Sequence, residues 1–131
     1  MKKDIEIPKV KDVYMAVVNE FNDIYNTEDW NAYIINDKEV DLELVIIVSE
    51  GYSETKKTAT FRKRIDKLPA KSYAKVELMQ EDLFALNNSF KVSFFEDNTI
   101  LDKTYVFRKN TINKRALQAI PLMEVKGVLV K

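Results

Sequence analysis

From Val40 to Glu50 the chain reads Val-Asp-Leu-Glu-Leu-Val-Ile-Ile-Val-Ser-Glu, its longest run of β-branched and apolar residues. Leu42, Leu44, Ile46 and Val48 recur at every second position, with Asp41, Glu43 and Ser49 on the alternate ones. Successive side chains of a strand point to opposite faces, so this spacing predicts a central strand with Leu42, Leu44, Ile46 and Val48 facing a core. Val45 and Ile47 break the polar side, which predicts partial cover on both faces.

Similar patterns predict further strands over Asp12–Asn19, Trp30–Asn36, Lys57–Asp66, Lys71–Met79, Phe90–Glu96 and Ile100–Arg108, with a short one at Val128–Val130. An extended arm through Pro8 precedes the first. Asn36–Glu39 is a turn that makes the strand before it a hairpin partner or close neighbour of the central strand, and Asp97-Asn98-Thr99 joins the clearest hairpin. Gln80–Asn88 has room for one short helical turn. Beyond Asn110, Ile112, Ala116, Leu117 and Ile120 stand at helical spacing, with Thr111 as N-cap and Pro121 as the stop. The predicted core contains Trp30, Leu44, Ile46, Phe61, Val76, Leu78 and Phe94. With no internal repeat and no linker, residues 1–131 read as one domain. About seven to nine short antiparallel strands make this an all-β chain, a sandwich or small barrel with a short C-terminal helical segment.

Composition narrows the class. Hydrophobic residues are 46% and charged residues 32% of the 131, as in a folded globular domain able to bury a core unaided. Cysteine is absent, so neither disulfides nor thiolate chemistry is expected. The lysines near the N-terminus precede no apolar stretch, and no apolar run approaches the roughly 20 residues that span a bilayer, so a cytoplasmic protein without a membrane partner is the expectation. Net charge is zero, yet the charges are segregated: ten acids against one base over 19–55, then eight bases against one acid over 56–75. Cross-strand pairing of these blocks is the simpler expectation; a dipolar surface that steers a charged partner is the other.

Three stretches sharpen the fold: Trp30-Asn-Ala-Tyr-Ile-Ile-Asn36, Leu42-Glu-Leu-Val-Ile-Ile-Val48 and Leu68-Pro-Ala-Lys-Ser-Tyr-Ala-Lys-Val76. Together they resemble the pattern of immunoglobulin-like sandwiches, in which a strand ends in Asn before a turn and a Leu-Pro-x-x-Ser corner opens a later strand. The resemblance implies an immunoglobulin-like antiparallel β-sandwich, without the paired cysteines of antibody domains. The whole chain also resembles a family of short, uncharacterised bacterial proteins, some labelled as phenylalanyl-tRNA synthetase subunits. A chain of 131 residues has no room for a synthetase catalytic domain, and no synthetase motif is present.

Little chemistry is on offer. Histidine is absent, which removes the commonest general base and metal ligand. No Gly-x-Ser-x-Gly elbow or glycine-rich phosphate loop occurs, and no cofactor or metal is expected. Glu28, Asp29, Asp37, Glu39, Asp41 and Glu43 are the carboxylates that remain for acid–base work or calcium, and they read more simply as a solvated acidic edge. The expectation is therefore a non-catalytic protein–protein interaction or assembly module, with a protein partner or homo-oligomer. Tyr33, Ile35, Val45, Ile47 and Phe95 are its candidate interface. The segment after Asn110 is expected to fold back over the face formed by Val45, Ile47 and Phe95. The alternative is a nucleic-acid-associated protein using the basic strand 56–67, with Lys56, Lys57, Arg62, Lys63 and Arg64 on phosphates. A core position for Phe61 removes its stacking platform, and neutrality with a pI near 6.4 argues against a dedicated nucleic-acid binder.

Overall fold

In a computed structural model that describes residues 9–131, the chain forms nine strands in two antiparallel sheets. They are β1 (Val13–Asn22), β2 (Thr27–Asn36), β3 (Leu42–Tyr52), β4 (Phe61–Leu68), β5 (Ser72–Met79), β6 (Asn87–Glu96), β7 (Thr99–Phe107), β8 (Gln118–Ala119) and β9 (Lys126–Val130). The five-stranded sheet has the order β5-β2-β1-β9-β8 and the four-stranded sheet β4-β3-β6-β7. The arm expected through Pro8 lies outside the described residues. The sheets face one another across a single core: Val13, Met15, Val17, Trp30, Ala32 and Ile34 from one meet Leu42, Val45, Ile47, Phe90, Val92, Phe94 and Phe107 from the other. The all-β, sandwich-like character expected from the alternation is what the chain adopts.

The phase of that alternation is not. In β3, Leu44 takes a left-handed φ of 48° and the register against β6 shifts between Glu43 and Ile46. Glu43 pairs with Phe95 and Ile46 with Ser93, so Leu44 and Val45 together oppose Phe94: a β-bulge. One extra residue turns every later side chain to the other face. Val45 and Ile47 are therefore fully buried, while Leu44 is 43% exposed and Ile46 and Val48 lie on the outer side. The predicted set Leu42, Leu44, Ile46, Val48 is corrected after its first member to Leu42, Val45, Ile47, Ser49. A second bulge acts on β5, where Ala32 pairs with Glu77 but Tyr33 with Lys75, leaving Val76 as the extra residue. Val76 stays in the core, while against expectation Met79 enters it and Leu78 turns outward. Phe61 does sit on the inward-facing row of β4, opposite Ser49, but at the open edge of the sheet, where it is 41% exposed rather than buried. Trp30, Val76 and Phe94 occupy the core as predicted.

One connection differs from expectation as well. The turn after Asn36 carries the chain from one sheet to the other, so β2 and β3 are not hairpin partners. Asn36 is completely buried there. Its Nδ2 donates toward the carbonyls of Val40 (2.9 Å), Leu68 (3.1 Å) and Pro69 (3.0 Å), while Oδ1 accepts from the Lys38 amide (3.1 Å). One side chain thus satisfies the β2–β3 turn and the Leu68-Pro69 corner between β4 and β5. Elsewhere, Asp97 and Asn98 (φ 54° and 65°) supply the two left-handed residues of a tight hairpin turn between β6 and β7. The short helical segment before β6 is a 3₁₀ turn, Glu81–Ala85.

The C-terminal helix is absent. One 3₁₀ turn, Lys114–Ala116, is capped by Asn113 rather than Thr111, and the chain then runs extended. Its apolar residues serve two surfaces, which a single helical stripe does not permit. Ile112, Ala116 and Leu117 join the core between the sheets, whereas Ile120, Met123 and Val125 pack on the outer side of the five-stranded sheet against Ala16, Val18 and Ile35. The segment does fold back over a sheet face, but over the other sheet from the one expected. β9 docks on β1 through Gly127, where a Cβ would sit 2.7 Å from the Val17 carbonyl oxygen. Tyr105, buried in β7, donates its hydroxyl to the Val13 carbonyl across the core.

Two substitutions check this register. Ile47→Ala should cost about 2–5 kcal/mol through lost burial and a residual cavity, and Ile46→Ala less than about 1.5 kcal/mol, measured as urea midpoints. Asn36→Ala should cost about 2–3 kcal/mol in the same assay, because buried carbonyls of two connections lose their donor together.

Candidate functional site

Only one of the five candidate interface residues stays on the surface. Val45 and Ile47 are core, Ile35 is covered by the C-terminal segment, and Tyr33 is half-buried. Tyr33 donates its hydroxyl to Glu20 Oε1 at 2.8 Å, the same oxygen that accepts from Asn31 Nδ2 at 3.0 Å. Burial, with the Glu20 carboxylate beside it, holds the Tyr33 phenol above its ordinary range. Phe95 remains exposed and gains neighbours that alternation had hidden: Ile100, its partner across β6–β7, and Leu44, turned out by the bulge.

A larger exposed apolar group lies at the opposite end of β2, a strand of ten residues or roughly 33 Å. Phe21, Ile24 and Tyr25 at the tip of the β1–β2 hairpin are 62%, 85% and 75% exposed. The tip is nevertheless a closed structure. Asn22 Oδ1 accepts from the amides of Ile24 (3.0 Å) and Tyr25 (3.2 Å), and Asn26 takes the left-handed conformation that turns the chain into β2. The interleaved Asn and Asp residues mark a loop in the sequence, and the same residues conceal that its apolar members share one exposed tip.

The basic candidates are divided. Lys56 and Lys57 are in the loop before β4, and Lys57 pairs with Glu50 at 3.5 Å. Arg62 and Arg64 lie on the outer side of β4, where Arg64 pairs with Asp66 at 3.0 Å; Lys63 points the other way, opposite Ile47. Bases and acids of the two charge blocks also meet at Lys67–Asp41 (3.9 Å) and Lys71–Asp37 (3.1 Å). The acidic candidates are engaged in turn: Glu28 with Lys114 at 2.8 Å, Asp29 with Asn22 and Thr27, and Glu39 with Lys71 at 3.4 Å. Lys114 holds the Glu28 carboxyl below its ordinary range.

The bulge in β5 builds a site that alternation placed out of reach. Glu77, which alternation with the expected core residues Val76 and Leu78 places outward, faces between the sheets opposite Ser49 of β3, whose hydroxyl donates to Glu77 Oε1 at 2.7 Å. Both border a cavity of about 260 Å³ at the open β4/β5 edge, together with Phe61, Leu83, Asn88 and Phe90. Burial raises the Glu77 carboxyl above its ordinary 4.5, and the Ser49 hydrogen bond offsets part of that rise. Asn88 is buried and commits Nδ2 to the carbonyls of Leu83 (2.9 Å) and Leu86 (3.1 Å). That arrangement leaves Oδ1 toward Gly51, 3.2 Å from where a Cβ on that glycine would stand.

The raised carboxyl has a definite sign in folding. Between the unfolded value near 4.5 and the higher folded value, the native state holds more protons, so the Glu77 contribution to stability falls as pH rises through that window. Glu77→Gln should remove this decline, and the difference between wild-type and variant urea midpoints should widen in the variant's favour from acid toward neutral pH. Comparison with protein-family models and with curated proteins finds no match to the chain.

Proposed function

We propose that the protein is a non-enzymatic interaction or assembly module of immunoglobulin-like type, engaging a protein partner through the apolar tip of its β1–β2 hairpin. The observation that carries this reading is the exposure of Phe21, Ile24 and Tyr25 on a turn closed by its own hydrogen bonds. Apolar side chains left in water cost roughly 25 cal/mol per Å² of surface that burial would recover, and a pre-formed tip loses little entropy on docking. Aromatic anchors of this kind are where binding energy concentrates. The second apolar group, Leu44, Phe95 and Ile100, lies at the far end and offers a second contact, as an assembly module needs. The immunoglobulin-like assignment draws support from the meeting of its two motif fragments, since the Asn36 amide binds the carbonyls of Leu68 and Pro69.

Ile24→Asp with Tyr25→Ser should abolish capture of a stoichiometric partner, or of further copies of the chain, with stability changed by no more than about 0.5 kcal/mol. Affinity capture and light scattering on wild type, this variant and a Tyr73→Ser control check it. Capture that survives the tip variant, or fails equally with the control, contradicts the proposal.

A second reading rests on Arg62 and Lys91, which flank Val48 on the outer side of the four-stranded sheet beside Arg64. This face would contact phosphates of a nucleic acid. Fluorescence anisotropy with a labelled single strand at two salt concentrations should then show binding that weakens with salt and disappears in Arg62→Glu/Arg64→Glu. Absent or salt-independent binding disposes of it.

A further inference from the structure

The cavity between the β4 and β5 edges has a lining with a single chemical bias. Glu77 supplies a carboxylate, Asn88 a carbonyl oxygen, and Phe61 and Phe90 two phenyl rings, while no lysine or arginine borders it. Lys63, the next inward position along β4, is not part of the lining, and the Glu50 carboxylate is engaged by Lys57. Ser49 gives its hydrogen to Glu77, so its hydroxyl hydrogen is already spent. Acceptors and π surfaces without a counter-charge repel anions and attract a cationic donor. A bare metal ion is poorly served: with Glu50 paired to Lys57 and the Thr58 hydroxyl bonded to Gly51 and Ala59, the Glu77 carboxylate, Asn88 Oδ1 and the Ser49 hydroxyl fall short of the six to eight oxygens that calcium takes. The volume, about 260 Å³, lies below the roughly 300–1,000 Å³ of drug-sized pockets and suits a group of side-chain size.

We propose that this cavity is a binding site for a small organic cation, a primary ammonium group on a short alkyl stem, with Glu77 as its counter-ion. The ammonium hydrogens go to the Glu77 carboxylate and Asn88 Oδ1, and the stem lies along Phe61, Phe90 and Leu83. The β5 bulge is what makes the site: without Val76 as an extra residue, Glu77 would point to the outer side and the cavity would keep only the Glu50 carboxylate, already paired with Lys57. A half-buried carboxylate opposite a serine, with no base to balance it, lowers stability at neutral pH and is the kind of cost that binding sites carry.

The test is a titration of the ¹⁵N-labelled protein followed by amide shifts, with n-butylammonium chloride as probe and n-butanol as its neutral isostere. Shifts should concentrate at Ser49, Gly51, Glu77 and Asn88, and the alcohol should bind about tenfold more weakly or worse, the size of a charge-assisted hydrogen bond. Glu77→Gln should lose about tenfold in affinity for the ammonium and none for the alcohol. If that variant fails to fold, wild type decides the matter: affinity should fall as pH is lowered from neutral toward 4.5 and the carboxylate, raised above that ordinary value, takes up its proton. A parallel titration with Nα-acetyl-lysine methylamide separates the sources, since its binding means that the site takes a lysine side chain presented by a backbone. No shift at these amides, an equal response to the alcohol, or an affinity indifferent both to Glu77→Gln and to pH overturns the proposal.

Discussion

A β-strand sends alternate side chains to opposite faces, and one additional residue reverses the assignment for everything that follows. The organisation of this protein depends on two such insertions. In β3 the left-handed Leu44 lets Leu42 and Val45, three positions apart, both enter the core, and Ile47 and Ser49 follow in the new phase. In β5 the extra Val76 brings Glu77 and Met79 inward, where alternation from Ala74 would have placed Leu78. The two shifts converge, because Ser49 and Glu77, each turned inward by its own strand's bulge, form one hydrogen bond between the sheets. A polar bridge thus closes the end of a core that is otherwise aliphatic and aromatic.

Around this interior the connections are held by few groups. Asn36 serves the β2–β3 turn and the β4–β5 corner at once, and Tyr105 ties the far edge of the four-stranded sheet to the start of β1. The C-terminal segment closes the remaining surface. It contributes Ile112 and Val128 to the core, then covers Ala16, Val18 and Ile35 from outside, which is why β1 is apolar on both faces. Exposed apolar groups remain at the two ends, on the β1–β2 tip and around Phe95, and Tyr73, Leu78 and Leu122 are exposed as well.

Strand positions were legible because short alternating runs bounded by Asn, Asp and Pro leave little choice, and the Asp97-Asn98 hairpin was plain from its turn residues. Phase was not legible in β3. Leu44-Val-Ile-Ile-Val48 is apolar at every position, so both phases present an apolar row, and nothing in the side chains announces the bulge. In β5 the clean alternation of Ala74, Val76 and Leu78 pointed to the wrong outcome, because the pairing with β2 outweighs local pattern. Glu77 was therefore missed as an inward carboxylate. The tail misled for a related reason: Ile112, Ala116, Leu117 and Ile120 match a helical stripe, yet they are divided between two surfaces of one sheet.

The interaction reading and the ammonium site stand on different parts of the molecule, but both inherit the same register. Leu44 reaches the surface beside Phe95, and Ser49 reaches the cavity, only if β3 is bulged. Solvent paramagnetic relaxation of the methyl groups, with a soluble gadolinium chelate, reports this directly. A bulged β3 requires strong relaxation of the Leu44 methyls, intermediate relaxation at Ile46, and protection of Val45 and Ile47. Protection of Leu44 and Ile46 with strong relaxation at Val45 and Ile47 would contradict it.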